Sequence, residues 1–124
     1  MRILLLHDDH ADERPVARAL EDAGHEIRRC APPGKPAFPC MGATASSGAP
    51  SHQCPLDGTV DVAVVVHDRP STTLAAGEAG VVCALRDGLP LVVAGSAAPS
   101  PYTARADAIA GGLGDVAAAC DRAV

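Results

Sequence analysis

Apolar positions along the chain fall into short uninterrupted runs and into helical stripes, separated by charged or glycine-rich turns. Ile3 to Leu6 is purely apolar, which suits a strand covered on both faces of a parallel sheet. A helix start follows. Asp12 can cap it, Glu13 suits its positive end and Pro15 fits its first turn. Val16, Ala19, Leu20 and Ala23 recur at helical spacing, and Gly24 is placed to end the helix. His25 to Cys30 predicts a short edge strand, with Ile27 facing inward between charges. Val60 to Val66 is the strongest strand signal, and His67-Asp68-Arg69-Pro70 ends it. A helix is expected over about Leu74 to Arg86, then a fourth strand from Leu89 to Ala94. Tyr102 to Ala123 reads as helical, with Ile109, Leu113, Val116, Cys120 and Val124 on one stripe, and Gly111, Gly112 and Gly114 as possible breaks.

Strands alternating with helices predict an α/β fold. The expected architecture is a three-layer open parallel sheet of about four strands with helices on both faces. At 124 residues and 12.5 kDa the chain makes one domain, residues 1–124, with one core. Residues 31–58 break the pattern. They have no helical or alternating period and carry Pro32, Pro33, Pro36, Pro39, Pro50 and Pro55. This is a long Cys/Pro-rich loop insertion between the second and third strands, of a length uncommon in a small domain.

The chain carries ten basic and fifteen acidic residues, for a net charge of −5. That balance excludes the basic face that nucleic acid requires and disfavours an anionic membrane surface. The run of four apolar residues at the start is too short for a secretory core, and no run approaches a membrane span. A cytoplasmic location is therefore expected. With only Phe38 and Tyr102 as aromatics, the core must be aliphatic.

In a reducing compartment, five cysteines stand out. Cys30, Cys40 and Cys54 mark the start, middle and end of the proline-rich segment, separated by nine and thirteen residues. Their neighbours read Phe38-Pro39-Cys40 and Cys54-Pro55, and proline beside cysteine recurs at iron–sulfur ligands. Ordering roughly 28 residues costs more than about 1 kcal/mol each. A bound metal contributes on the order of 10 kcal/mol toward that. The expected ligands are Cys30, Cys40, Cys54 and Cys83. His67 and His52 are possible alternatives, and Asp8 and Asp68 are further oxygen donors near the sheet rim. Four thiolates suit an iron–sulfur cluster or zinc. The wide spacing and flanking prolines favour the cluster, with zinc as the alternative. Cys120 belongs to the apolar stripe of the last helix and reads as core. Cys30 with His67, or Cys54 with His52, also has the residue types of a nucleophile and base. No oxyanion hole or glycine-rich phosphate loop accompanies them, so catalysis is disfavoured.

Arg2 to Cys30 resembles the opening of a response-regulator receiver domain, a flavodoxin-like fold. The resemblance rests on an apolar strand ending in acids and on Ala23-Gly24-His25-Glu26-Ile27. Val60 to Val66 with Pro70, and Leu85 to Ala94, resemble the family's third and fourth strands. The functional positions depart from the family. The phosphoacceptor aspartate falls at Val66, the acidic metal pair at His7 and Asp8, and the hydroxyl residue at Gly95 beside Ser96. No fifth strand with the family's lysine is predicted. The resemblance implies a degenerate receiver without phosphorelay chemistry. The expected function is a small redox-responsive regulatory protein binding a cysteine-ligated metal or cluster. The alternative is a cofactor-free interaction module. Either reading implies a protein partner or self-association.

Overall fold

The computed structural model describes residues 1–8, 11–30, 59–67, 78–95 and 102–124. The elements, in chain order, are β1 (Arg2–His7), α1 (Arg14–Asp22), β2 (Glu26–Arg28), β3 (Val62–Val66), α2 (Gly80–Arg86), β4 (Leu91–Ala94), β5 (Ala108–Ile109) and α3 (Val116–Ala123). The five strands form one sheet in the order β2-β1-β3-β4-β5, and every neighbouring pair is parallel.

Strand alternation divides the core in two. Ile3 and Leu5 of β1, Val62, Val64 and Val66 of β3, and Val92 and Ala94 of β4 point to one face. There they meet Val16, Ala17 and Leu20 of α1 and Val116, Ala119 and Cys120 of α3. Leu4, Leu6, Ala63, Val65, Leu91 and Val93 point to the other face, against Val81 and Ala84 of α2 and Tyr102. All five residues of β3 are buried, as the continuous Val-Ala-Val-Val-Val run requires of a central parallel strand.

Local chemistry sets the ends. Pro15 sits in the first turn of α1, and the Asp12 carboxylate accepts the Arg14 N–H at 3.1 Å. Gly24 stops the helix in the left-handed region, at φ 92°. There it donates to the Glu21 carbonyl, while His25 donates to the Leu20 carbonyl. β2 is a three-residue edge strand, with Ile27 half-buried between exposed Glu26 and Arg28.

Two expectations are corrected. The sheet has five strands, and residues 102–123 are not one helix. A 3-10 turn at Thr103–Arg105 precedes β5, and a second at Leu113–Asp115 precedes α3. β4 offers an open edge that Ala108 and Ile109 fill, pairing with Val92 and Val93. Asp107 secures the entry: its N–H donates to the Leu91 carbonyl at 2.8 Å, and its carboxylate accepts the Leu91 N–H at 2.9 Å. Three glycines within four residues, each costing about 1 kcal/mol in a helix, remove the competing conformation. The stripe survives only in α3. Val116 and Cys120 are buried, while Ile109, Leu113 and Val124 are exposed. The helix expected from Leu74 is described from Gly80, and residues 74–77 and the 31–58 segment lie outside the described residues.

Candidate functional site

The carboxyl ends of the strands carry the chemistry. His67 follows β3 and continues the Ala63, Val65 parity, which turns its ring to the α2 face. Asp8 follows β1 on the same parity as Leu4 and Leu6. Backbone bonds extend the sheet through both residues: Asp8 N–H donates to the Val66 carbonyl at 3.0 Å and His67 N–H to the Ala94 carbonyl at 2.9 Å. Glu78 enters just ahead of α2, and Tyr102 arrives from the segment before β5.

These four side chains meet. His67 Nδ1 donates to Glu78 Oε2 at 2.6 Å, with Asp8 Oδ2 at 3.5 Å. The Tyr102 hydroxyl donates to the same Glu78 oxygen, and its own oxygen lies 3.1 Å from His67 Nδ1. The imidazole and phenol rings pack edge to face, with centroids 5.6 Å apart. Asp8 Oδ1 also accepts the Ala11 N–H at 2.6 Å. Glu78 is 0% exposed, His67 1% and Asp8 3%. Buried polar groups at this depth persist only when hydrogen-bonded, because each has given up its water. Burial, and then the Glu78 hydrogen bond, push the Tyr102 phenol well above its ordinary value. One atom stands outside the network: His67 Nε2 is buried without a hydrogen-bond partner among the described residues.

The predicted ligands distribute as follows. Cys30 is half-buried at the exit of β2 and packs on the α2-face core. Its sulfur lies against the first turn of α2, since a Cβ added to Gly80 would stand 3.0 Å from Cys30 Sγ and 2.6 Å from Leu6 Cδ2. Cys83 is half-buried one turn further along α2. Cys30, Cys83, His67 and Asp8 thus share one face of the sheet. Cys40, Cys54, His52 and Asp68 lie outside the described residues. Among the described residues, no three His, Cys, Asp or Glu side chains come close enough to hold a metal ion. Cys120 is core, as expected. It is buried on the opposite face, where burial pushes its thiol up to about 11.

That opposite face also has a crevice of about 300 Å³ at the carboxyl end, walled by Val16, Val66, Gly95, Gly112 and Val116. Its carboxylate, Asp12, is bound to the Arg14 guanidinium at 2.8 and 3.0 Å and held below its ordinary pKa by that contact. The Cys30 thiol and the His67 imidazole lie on the other face of the sheet from this crevice.

Glu78 and Tyr102 carry the network with His67, and neither was anticipated as a site residue. Glu78 is a single acid in an Ala/Gly run, a pattern that reads as a solvated helix start. The stronger signal was Tyr102, the chain's only tyrosine, which needs a partner for its hydroxyl once buried. No helix among the described residues is long and apolar enough to cross a membrane. No family model, curated protein or solved structure matches the chain.

Proposed function

We propose that this chain is a small regulatory domain on a receiver-like, flavodoxin-like scaffold, and that it binds a metal ion or iron–sulfur cluster through cysteine. The strand order 2-1-3-4-5 is the one such doubly wound folds use. Its phosphoacceptor position holds Val66, a buried aliphatic, so regulation here does not run through an aspartyl phosphate. The observation that carries the metal reading is the placement of Cys30. Its sulfur stands at the carboxyl rim against α2, on the face shared with Cys83 and His67. Cys40 and Cys54 supply the remaining thiolates. An iron–sulfur cluster fits the proline-flanked cysteines, and zinc fits a structural role. Loss or oxidation of the centre changes what the 31–58 segment presents to a protein partner or to a second copy of the chain.

A second reading has its own support. His67, Asp8, Glu78 and Tyr102 fill the α2 side of the rim with protein side chains, as befits a cofactor-free interaction module. Visible absorption of the anaerobically purified chain separates the two. Thiolate-to-iron bands support the cluster, a colourless chain with bound zinc supports the zinc form, and a colourless metal-free chain supports the interaction module.

A further inference from the structure

We propose that the outer flank of α1, with the turn at Leu113, is the surface on which a second copy of this chain docks, the two α1 helices lying antiparallel about a two-fold axis level with Leu20. This deepens the interaction-module reading above and rests on it. It draws on no metal and no cysteine.

A groove of about 490 Å³ runs between α1 and the turn ahead of α3, with Pro15, Ala19 and Leu113 as its apolar lining. Leu113 is 49% exposed there. Two charged side chains of the same groove, Arg18 and Asp22, are also exposed. They stand four residues apart on one helix, yet neither side chain is engaged in a hydrogen bond or ion pair among the described residues. The groove's other charges are already satisfied, since the Arg14 guanidinium is bound to the Asp12 carboxylate at 2.8 and 3.0 Å. A helix flank that shows one cation and one acid four residues apart is complementary to its own antiparallel copy. Leu20 lies midway between them, so a two-fold axis at its level sets Arg18 of each copy against Asp22 of the other. In such an isologous pair the contact is made twice. An unrelated partner would have to supply both signs at this spacing, whereas a second copy supplies them by symmetry. The opposite charges fix register, and covering Leu113, Pro15 and Ala19 supplies the apolar burial. The nine residues of α1 span about 14 Å, so the interface is smaller than the standard of about 800 Å² per partner. The association expected is therefore weak and concentration-dependent.

Sedimentation equilibrium of the full chain under reducing conditions, with and without a metal chelator, tests this. The wild type should show a monomer–dimer equilibrium that the chelator leaves unchanged and salt weakens. Arg18→Glu and Asp22→Arg should each raise the dimer dissociation constant about 10-fold, and the double variant, with the charges exchanged, should bring it back toward wild type. Leu113→Asp should leave the chain monomeric. All three positions are exposed, and far-ultraviolet circular dichroism checks that the variants fold. A wild type that is monomeric up to millimolar concentration overturns the proposal and leaves docking of a different protein as the interaction reading. A dimer that the single charge reversals do not weaken, or that the double variant does not restore, overturns this surface and keeps self-association. A dimer that forms only without chelator overturns it too, and supports the metal reading instead.

Discussion

Gly80 sits where β1, β2 and α2 converge, and Gly80→Ala probes that junction. An added Cβ would stand 2.6 Å from Leu6 Cδ2 and 3.0 Å from Cys30 Sγ. The first distance is below any tolerable carbon contact. Leu6 is 2% exposed and packed on β1, so it has little room to swing away. Cys30 is half-buried at a strand exit and can yield. Overpacking of this kind costs about 1–3 kcal/mol. Alanine's preference for helix over glycine returns up to about 1 kcal/mol. The net loss expected is about 1–2 kcal/mol. Urea unfolding reads this as a midpoint lowered by roughly 0.5–1 M at the slope usual for a chain of this size. Two controls follow from the geometry. Combining Gly80→Ala with Leu6→Val should recover part of the loss, since the residues are in contact and their effects should couple. Alkylation of Cys30 should quicken in Gly80→Ala as its sulfur is pushed outward. The reasoning is refuted if Gly80→Ala is more stable than wild type by the full helix preference, with Cys30 reactivity unchanged. Gly80 would then be an open helix position, and Cys30 would not be packed against α2.

Other expectations follow from the same structure. Tyr102→Phe removes the hydroxyl donated to buried Glu78 and should cost about 1.5–3 kcal/mol in urea unfolding; a neutral result would mean that the hydroxyl is solvated. Because the Tyr102 phenol is raised, its contribution to stability is complete below the ordinary tyrosine value and is lost above it. The chain's single tyrosine should show no phenolate absorbance near pH 10 while folded, and phenolate at that pH in the folded chain would contradict the buried network. The Cys120 thiol, raised by burial, should alkylate last of the five at pH 8, and stability should decline as pH climbs from the ordinary cysteine range toward about 11. Rapid labelling of Cys120 in the native chain would place it outside the core.

What could be read from the sequence depended on how local each signal was. Ile3 to Leu6 and Val62 to Val66 are apolar without interruption, so burial on both faces left little alternative to central parallel strands. α1 announced itself through Pro15, its apolar spacing and the Gly24 stop. β5 was hidden because two residues, Ala108 and Ile109, carry no period of their own. Their state is decided by the open edge of β4, and the neighbouring Ala/Gly/Leu run resembles a weak helix. At the rim, parity along the strands already put His67 and Asp8 at the carboxyl ends. Glu78 and Tyr102 come from different connections, and only the folded chain brings them to His67. Cys120 was legible as core from its stripe. Cys30 was legible only as a residue near the rim, and its contact with α2 depends on the missing side chain at Gly80.

The most direct measurement of the account's central claim is the ratio of metal to protein in the anaerobically purified full chain, compared with Cys40→Ser and Cys54→Ser purified in the same way. A stoichiometric metal or cluster in the wild type, lost in both variants while the far-ultraviolet signature of the sheet persists, is the expected result. A wild-type chain that carries no metal and takes up neither zinc nor iron and sulfide would contradict it.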